Sequence, residues 1–219
     1  MSNHPILLLC STLLCLSFFS CGGEGEQVFA KAESIFASRS LLDEDSLHHH
    51  FNANTVEFLT EVGELTAANN IPGLEALGER NQCPITTVLL GQAIQRIFSD
   101  SAENISASNV IVLMSLMDLG VFRNSEDLAL KPYEIGSVDE NVATVKVTVP
   151  TGYDNTKILT EYTFNKEEEK WKLDLPSTLK FHDNLFRKLN KKQGLPIPVF
   201  AEQYLDSESS TIQFRYRSQ

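Results

Sequence analysis

The stretch ALKPYEIGSVDENVATVKVTV, residues 129–149, decides the fold, because along it the apolar period changes from helical to alternating. In its second half Ala143, Val145, Val147 and Val149 alternate with Thr144, Lys146 and Thr148, which sends one set to each face of a strand. Asp139-Glu140-Asn141 has turn composition, so two antiparallel strands joined there are expected. After a second turn, TGYDN at 151–155, the segment KILTEYTFNKEEEKWKLDLP (157–176) reads as another hairpin. Ile158, Tyr162 and Phe164 lie on one strand, NKEEEK forms a charged loop, and Trp171, Leu173 and Leu175 lie on the partner.

Upstream of this meander the periodicity is 3.6. Val28, Ala32, Ile35 and Phe36 share a face in an N-terminal helical segment, 28–53. Asn54 and Glu57 match a capping box, followed by Val56, Leu59, Val62 and Leu65 at helical spacing, with Asn69 and Asn70 as the stop before Ile71-Pro72-Gly73. Pro84, a residue suited to a first helical position, opens a helix through Val88, Leu89, Ala93, Ile94 and Ile97 to Phe98. The run VIVLMSLMDLG, 110–120, reads as a buried helix stopped by Gly120, with a strand as the alternative for so short an apolar run. Helices first and a meander afterwards is an α+β arrangement, with helices packed on one face of an antiparallel sheet.

Downstream, STLKFHDNLFRKLNKKQG (177–194) opens with a Ser or Thr cap, runs amphipathically through Leu179, Leu185 and Leu189, and stops at Gly194. Arg187, Lys188, Lys191 and Lys192 sit where a helix dipole favours cations. STIQFRYRSQ, 210–219, alternates and is expected as a last strand.

The helix ending near a glycine, then NVATVKVTVPTG, a strand, a charged turn and KWKLDLP resembles cystatin-like and nuclear-transport-factor-like lipoproteins of unknown function. The resemblance spans 54–176 and is closest over 141–176. It implies a strongly curved antiparallel sheet wrapped around helices as a cone; residues 177–219 depart from that pattern and are expected as a C-terminal helical extension. Such a cone hosts isomerases, dehydratases, carriers and interaction modules, so the fold alone licenses no activity.

The N-terminus carries an address. Ile6 to Phe19, ILLLCSTLLCLSFF, is uncharged and fourteen residues long. As a helix it would span about 21 Å, short of a bilayer core of about 30 Å. Its length fits a signal peptide, an ordinary secretory one included, better than a membrane span or a core helix. Ser20-Cys21-Gly22-Gly23 following it resembles a bacterial lipobox, which implies a signal peptide at 1–20, diacylglycerol on Cys21 and a short tether over 21–27. Removing residues 1–20 leaves 199 residues with all 18 basic and 29 acidic side chains, a net charge of -11. An acidic body repels nucleic acid, which excludes that partner class. The expected partners are the membrane, through lipid on Cys21, an envelope protein, and a small apolar ligand. Only Cys83 remains besides Cys21, so no disulfide within the body is expected.

Four sets of residues merit chemical reading. His48, His49 and His50 follow Asp43, Glu44 and Asp45, yet successive helical residues point about 100° apart and three adjacent imidazoles cannot converge on a metal. Cys83 before Pro84 would sit at a helix N-terminus, where a dipole lowers a thiol pKa. No histidine neighbours it in sequence, so a small buried cap residue is the plainer reading. Tyr133, Glu134, Glu161, Tyr162, Trp171 and Asp174 fall on the sheet. Alternation turns Tyr162 and Trp171 inward and Glu161, Lys172 and Asp174 outward, which disfavours an acid-base enzyme and leaves Tyr133, Tyr162 and Trp171 as a candidate apolar ligand pocket, or as core. Gly63, Gly73, Gly78 and Gly91 fall singly in helical stretches and form no phosphate loop. No cofactor or metal motif is present, and the expectation is a non-catalytic binding or interaction module in the cell envelope, with a small-molecule carrier or enzyme using an aromatic-lined pocket in the cone as the alternative.

Overall fold

The computed structural model describes residues 23–37, 44–98, 105–116, 131–150 and 157–217. Cys21, the TGYDN turn and Gly120 lie outside these residues. Among the described residues six helices come first: α1 (Gly23–Ala37), α2 (Glu44–His50), α3 (Ala53–Ala67), α4 (Ile71–Arg80), α5 (Pro84–Phe98) and α6 (Ala107–Leu116). Four strands follow, β1 (Lys131–Val138), β2 (Val142–Pro150), β3 (Lys157–Glu167) and β4 (Lys170–Asp174). Two helices, α7 (Leu175–Gln193) and α8 (Ile197–Arg217), end the described chain. The fold is α+β with a four-stranded antiparallel meander in the order β1-β2-β3-β4.

The alternation of residues 142–147 appears in the burial. Ala143, Val145 and Val147 of β2, Tyr162 and Phe164 of β3, and Trp171 and Leu173 of β4 are buried on one face. Against the sheet α1 packs on β1, β2 and β4 with Val28, Ala32 and Ile35 fully buried, while α7 packs on β3. Each large side chain so buried contributes about 1.5–3 kcal/mol. Beyond the sheet α5 is the hub. It touches α3, α4, α6, α7 and α8, and its residues Pro84 to Gly91 are all buried.

Two helix ends are closed by backbone hydrogen bonds, with Asn81 Nδ2 also donating to the Leu77 carbonyl and Gln95 Nε2 to the Thr66 carbonyl. After α4 the Cys83 N–H donates to the Gly78 carbonyl and the Gln82 N–H to Glu79, with Gln82 at φ 61°. After α3 the Asn70 N–H donates to Leu65 and the Asn69 N–H to Thr66, with Asn69 at φ 51°. Both are Schellman motifs, and in each a residue other than glycine takes the left-handed position. The first folds α4 back onto α5 so closely that a Cβ on Gly78 would stand 2.4 Å from the Pro84 Cα. A glycine there is required by that close approach.

Several local expectations are corrected. Helix α1 starts at Gly23, so helix occupies 23–27, where a tether is expected. Beyond the stop at Asn69 and Asn70, residues 71–80, for which the sequence reading names no element, form α4, capped by the Asn70 side chain accepting from the Gly73 N–H at 2.9 Å. The N-cap of α3 is Asn52, two residues before the expected Asn54, and that of α7 is Asp174 rather than a Ser or Thr at 177–178. The β3–β4 turn is shorter than NKEEEK: strand pairing runs to Glu167 and Lys170, leaving Glu168 and Glu169, both at positive φ. Both φ values match a primed two-residue turn, whose twist suits the strands it joins. The strand expected at 210–219 is not formed, because α8 continues through Arg217. Phe200, Ala201 and Leu205 of α8 are buried, and extending an existing helix costs less than starting a new element. Along α7 the buried line is Leu175, Leu179, Asp183 and Phe186, whereas Leu189 is 48% exposed.

Candidate functional site

Where the sheet meets the helices, the joint is polar and satisfied. Phe51 forms an isolated parallel bridge with Leu173, and the Asn52 N–H donates to the Leu173 carbonyl at 3.1 Å. Asn52 then caps α3, its Oδ1 accepting from the Thr55 N–H at 2.9 Å. The Thr55 hydroxyl accepts from the Leu175 N–H at 2.9 Å, tying the start of α3 to the start of α7. Asp174, expected to point outward, is 6% exposed because its carboxylate accepts from the Ser177 N–H and hydroxyl and from Asn165 Nδ2. It is a helix cap.

The second carboxylate buried in the body is Asp183. It stands on the apolar line of α7 because Oδ1 accepts from the Thr86 N–H at 3.0 Å, in the first turn of α5, while Oδ2 accepts from Arg187 Nε at 2.7 Å. A carboxylate from a distant helix therefore supplies the N-terminal cap that Cys83, the residue before Pro84, cannot. Burial pushes the Cys83 thiol up to about 12, and the Asp183 charge adds to this, outweighing the lowering by Thr87, Lys180 and Arg187. At neutral pH it is a protonated, fully buried thiol, which removes it as a nucleophile.

The three histidines separate. His48 and His49 are exposed, while His50 is partly buried against α1, where Lys31 Nζ donates to the His49 carbonyl at 2.9 Å and lies 3.3 Å from His50 Nδ1. Burial, then the Lys31 charge, then His49 hold His50 at about 4, so it is neutral at pH 7. Burial and the charges of Lys172 and Lys170 lower Lys31 as well. Among the described residues no three His, Cys, Asp or Glu side chains come together as a metal site would need.

Of the residues expected to line an apolar pocket, Tyr162 is fully buried and Trp171 is 4% exposed. Lys166 Nζ stands 5.8 Å from the centre of the Trp171 ring, and the indole Nε1 has no hydrogen-bond partner among the described residues. The Tyr133 side chain lies outside the described residues. A cavity opens elsewhere, a half-open groove of about 510 Å³ between α2, α3 and the start of α6. Leu47, Val56 and Ile105 give it apolar walls, and His48 and Glu64 give it polar ones. Its hydroxyls are engaged internally: Thr60 donates to the Val56 carbonyl, and Ser106 accepts from the Asn109 N–H as it starts α6. A ligand there would meet apolar surface with an imidazole and a carboxylate at its edge. Periodicity offered no signal for this groove, since its lining comes from three separate segments.

Compared with models of protein families, with curated proteins and with solved structures, the chain shows no match.

Proposed function

We propose that this protein is a membrane-anchored lipoprotein of the cell envelope, held by lipid on Cys21, whose body is a non-catalytic binding or protein-interaction module. The observation that carries this reading is the fourteen-residue uncharged run ILLLCSTLLCLSFF ending just before Ser20-Cys21-Gly22-Gly23. Two or three acyl chains, at about 0.8 kcal/mol per buried methylene, suffice to hold such a body at a bilayer. Among the described residues no helix is long and apolar enough to cross a membrane, which is compatible with anchoring by lipid. The cystatin-like cone, with α7 and α8 as its extension, belongs to the same reading. It is supported by a sheet that buries one face under helices. The inert Cys83 and the capping roles of Asp174 and Asp183 favour binding over catalysis.

A second reading, a small-molecule carrier, is favoured by the groove between α2, α3 and α6, whose volume suits a small ligand. Intact mass and detergent partitioning of the wild type against Cys21→Ala, expressed in a bacterial host, test the first reading. Cleavage before Cys21 with added acyl mass, both lost in the variant, is the expected result. An unmodified wild type that stays in the aqueous phase refutes it.

A further inference from the structure

In sequence, only Gly22 separates Cys21 from the first described helix. Helix α1 begins two residues later, at Gly23, and two residues of chain reach about 7 Å at most. The first turn of α1 is itself fixed: Glu24 pairs with Lys166 Nζ at 2.8 Å, and Val28 just beyond is fully buried. Lys166 belongs to the end of the sheet where both hairpins turn, since its N–H donates to the Asn141 carbonyl at 2.9 Å.

Exposed apolar side chains gather at that same end. Ile135, Val138 and Val142 are 37%, 40% and 45% exposed, three of the five large exposed hydrophobics among the described residues. Ile135 and Val138 lie beside the start of α1, where a Cβ on Gly25 would stand 2.9 Å from Ile135 Cδ1 and 3.9 Å from Val138 Cγ2. Val138 pairs with Ala143 and so takes the face that α1 covers, while Val142 pairs with Asn165 and takes the other face. The β1–β2 hairpin is thus apolar on both flanks, with Asp139 and Glu140 at its tip.

Resting on the lipoprotein reading above, we propose that this hairpin is the membrane-contacting element of the body. Ile135, Val138 and Val142 rest at headgroup level, and the two residues of chain from acylated Cys21 to Gly23 limit how far the body can stand from the anchor. Charge selects the lipid. Lys166 pairs with Glu24 and Glu169, and Lys170 flanks the β3–β4 turn, but Asp139, Glu140 and Glu168 add negative charge at the two turns of a chain with net charge -11, so anionic headgroups repel it and zwitterionic ones are preferred.

Acylated Val138→Cys protein carrying a nitrobenzoxadiazole fluorophore tests the contact, with acylated Ala68→Cys as reference. Ala68 follows α3, whose first residue lies at the hairpin end, the Ala53 N–H donating to Glu167 Oε1 at 3.1 Å. The fifteen residues of α3 place its far end about 22 Å along the helix. Cys83 is buried, so labelling is confined to the introduced thiol. In phosphatidylethanolamine and phosphatidylcholine vesicles with nitroxide-labelled headgroups, quenching at position 138 is expected to exceed that at 68 by at least threefold. Phosphatidylglycerol should narrow the difference, and Asp139→Asn with Glu140→Gln should restore it. Intact mass of the same preparations separates two failures. Absence of acyl chains overturns the lipoprotein reading and the contact with it, whereas acylated protein quenched equally at both positions overturns the contact alone.

Discussion

Replacing Asp183 by alanine removes the group that joins α7 to the start of α5. The carboxylate is 1% exposed in its side chain, and it accepts from the Thr86 N–H at 3.0 Å. Alanine leaves that N–H buried and unpaired, at about 1–3 kcal/mol, and removes a negative charge from a helix N-terminus, at about 0.3–2 kcal/mol. The Arg187 pair adds little, because Arg187 is 53% exposed in its side chain and solvent screens it. Relief of the desolvation of a buried charge offsets part of the loss. A destabilisation of about 2–3 kcal/mol follows, or about 4–12 °C in Tm for a chain of this size. Asp183→Asn keeps an acceptor for Thr86 and should cost about 1 kcal/mol. Urea unfolding measures both, and hydrogen exchange should show the Thr86 amide losing protection in the alanine variant. Arg187→Ala should cost less than half as much as Asp183→Ala. An Asp183→Ala cost below about 0.5 kcal/mol, or an equal cost for Arg187→Ala, would show that the cap does not hold the two helices together.

Gln82→Gly should stabilise the protein by about 0.5–1 kcal/mol, since glycine takes a φ of 61° without the left-handed penalty that glutamine bears. A lower urea midpoint for the variant would count against the Schellman assignment. Stability should also fall with acid. Burial holds His182 at about 4, as burial and the neighbouring charges do for His50, so the unfolded chain, with imidazoles near 6.5, takes up protons first. Their contribution is complete above about pH 6.5 and is lost as pH falls toward about 4. The urea midpoint should drop between pH 7.5 and 5, and His50→Gln with His182→Gln should flatten that drop. A wild-type midpoint unchanged over this range would refute the assignment.

The strands were legible because alternation is a local property. Val145 and Val147 differ from Thr144 and Lys146 in hydropathy alone, and that contrast suffices to set the two faces. Pro84 and Gly194 marked helix ends through their own backbone preferences, Gly194 at φ 68°. The caps at Asn52 and Asp174 were misplaced by two or three residues. Asn52 is set by the Phe51–Leu173 bridge, and Asp174 by Asn165 on the neighbouring strand, so both depend on residues more than a hundred positions away or across a hairpin. Asp183 carried one visible signal, a carboxylate on the apolar line of an amphipathic helix, and its meaning required α5 beside it.

The amino-acid sequence by itself determined the α+β order, the antiparallel meander with its inward and outward faces, and the apolar N-terminal run that ends at Phe19, just before Ser20-Cys21. These rest on periodicity and residue chemistry within a few positions of one another. Only the tertiary structure decided that residues 23–27 are helical, that Asp174 and Asp183 are buried as caps, and that the chain after Ser209 continues as helix. Each of these depends on which surface a segment meets, and packing against a distant partner outweighs local preferences that differ by about 1 kcal/mol or less.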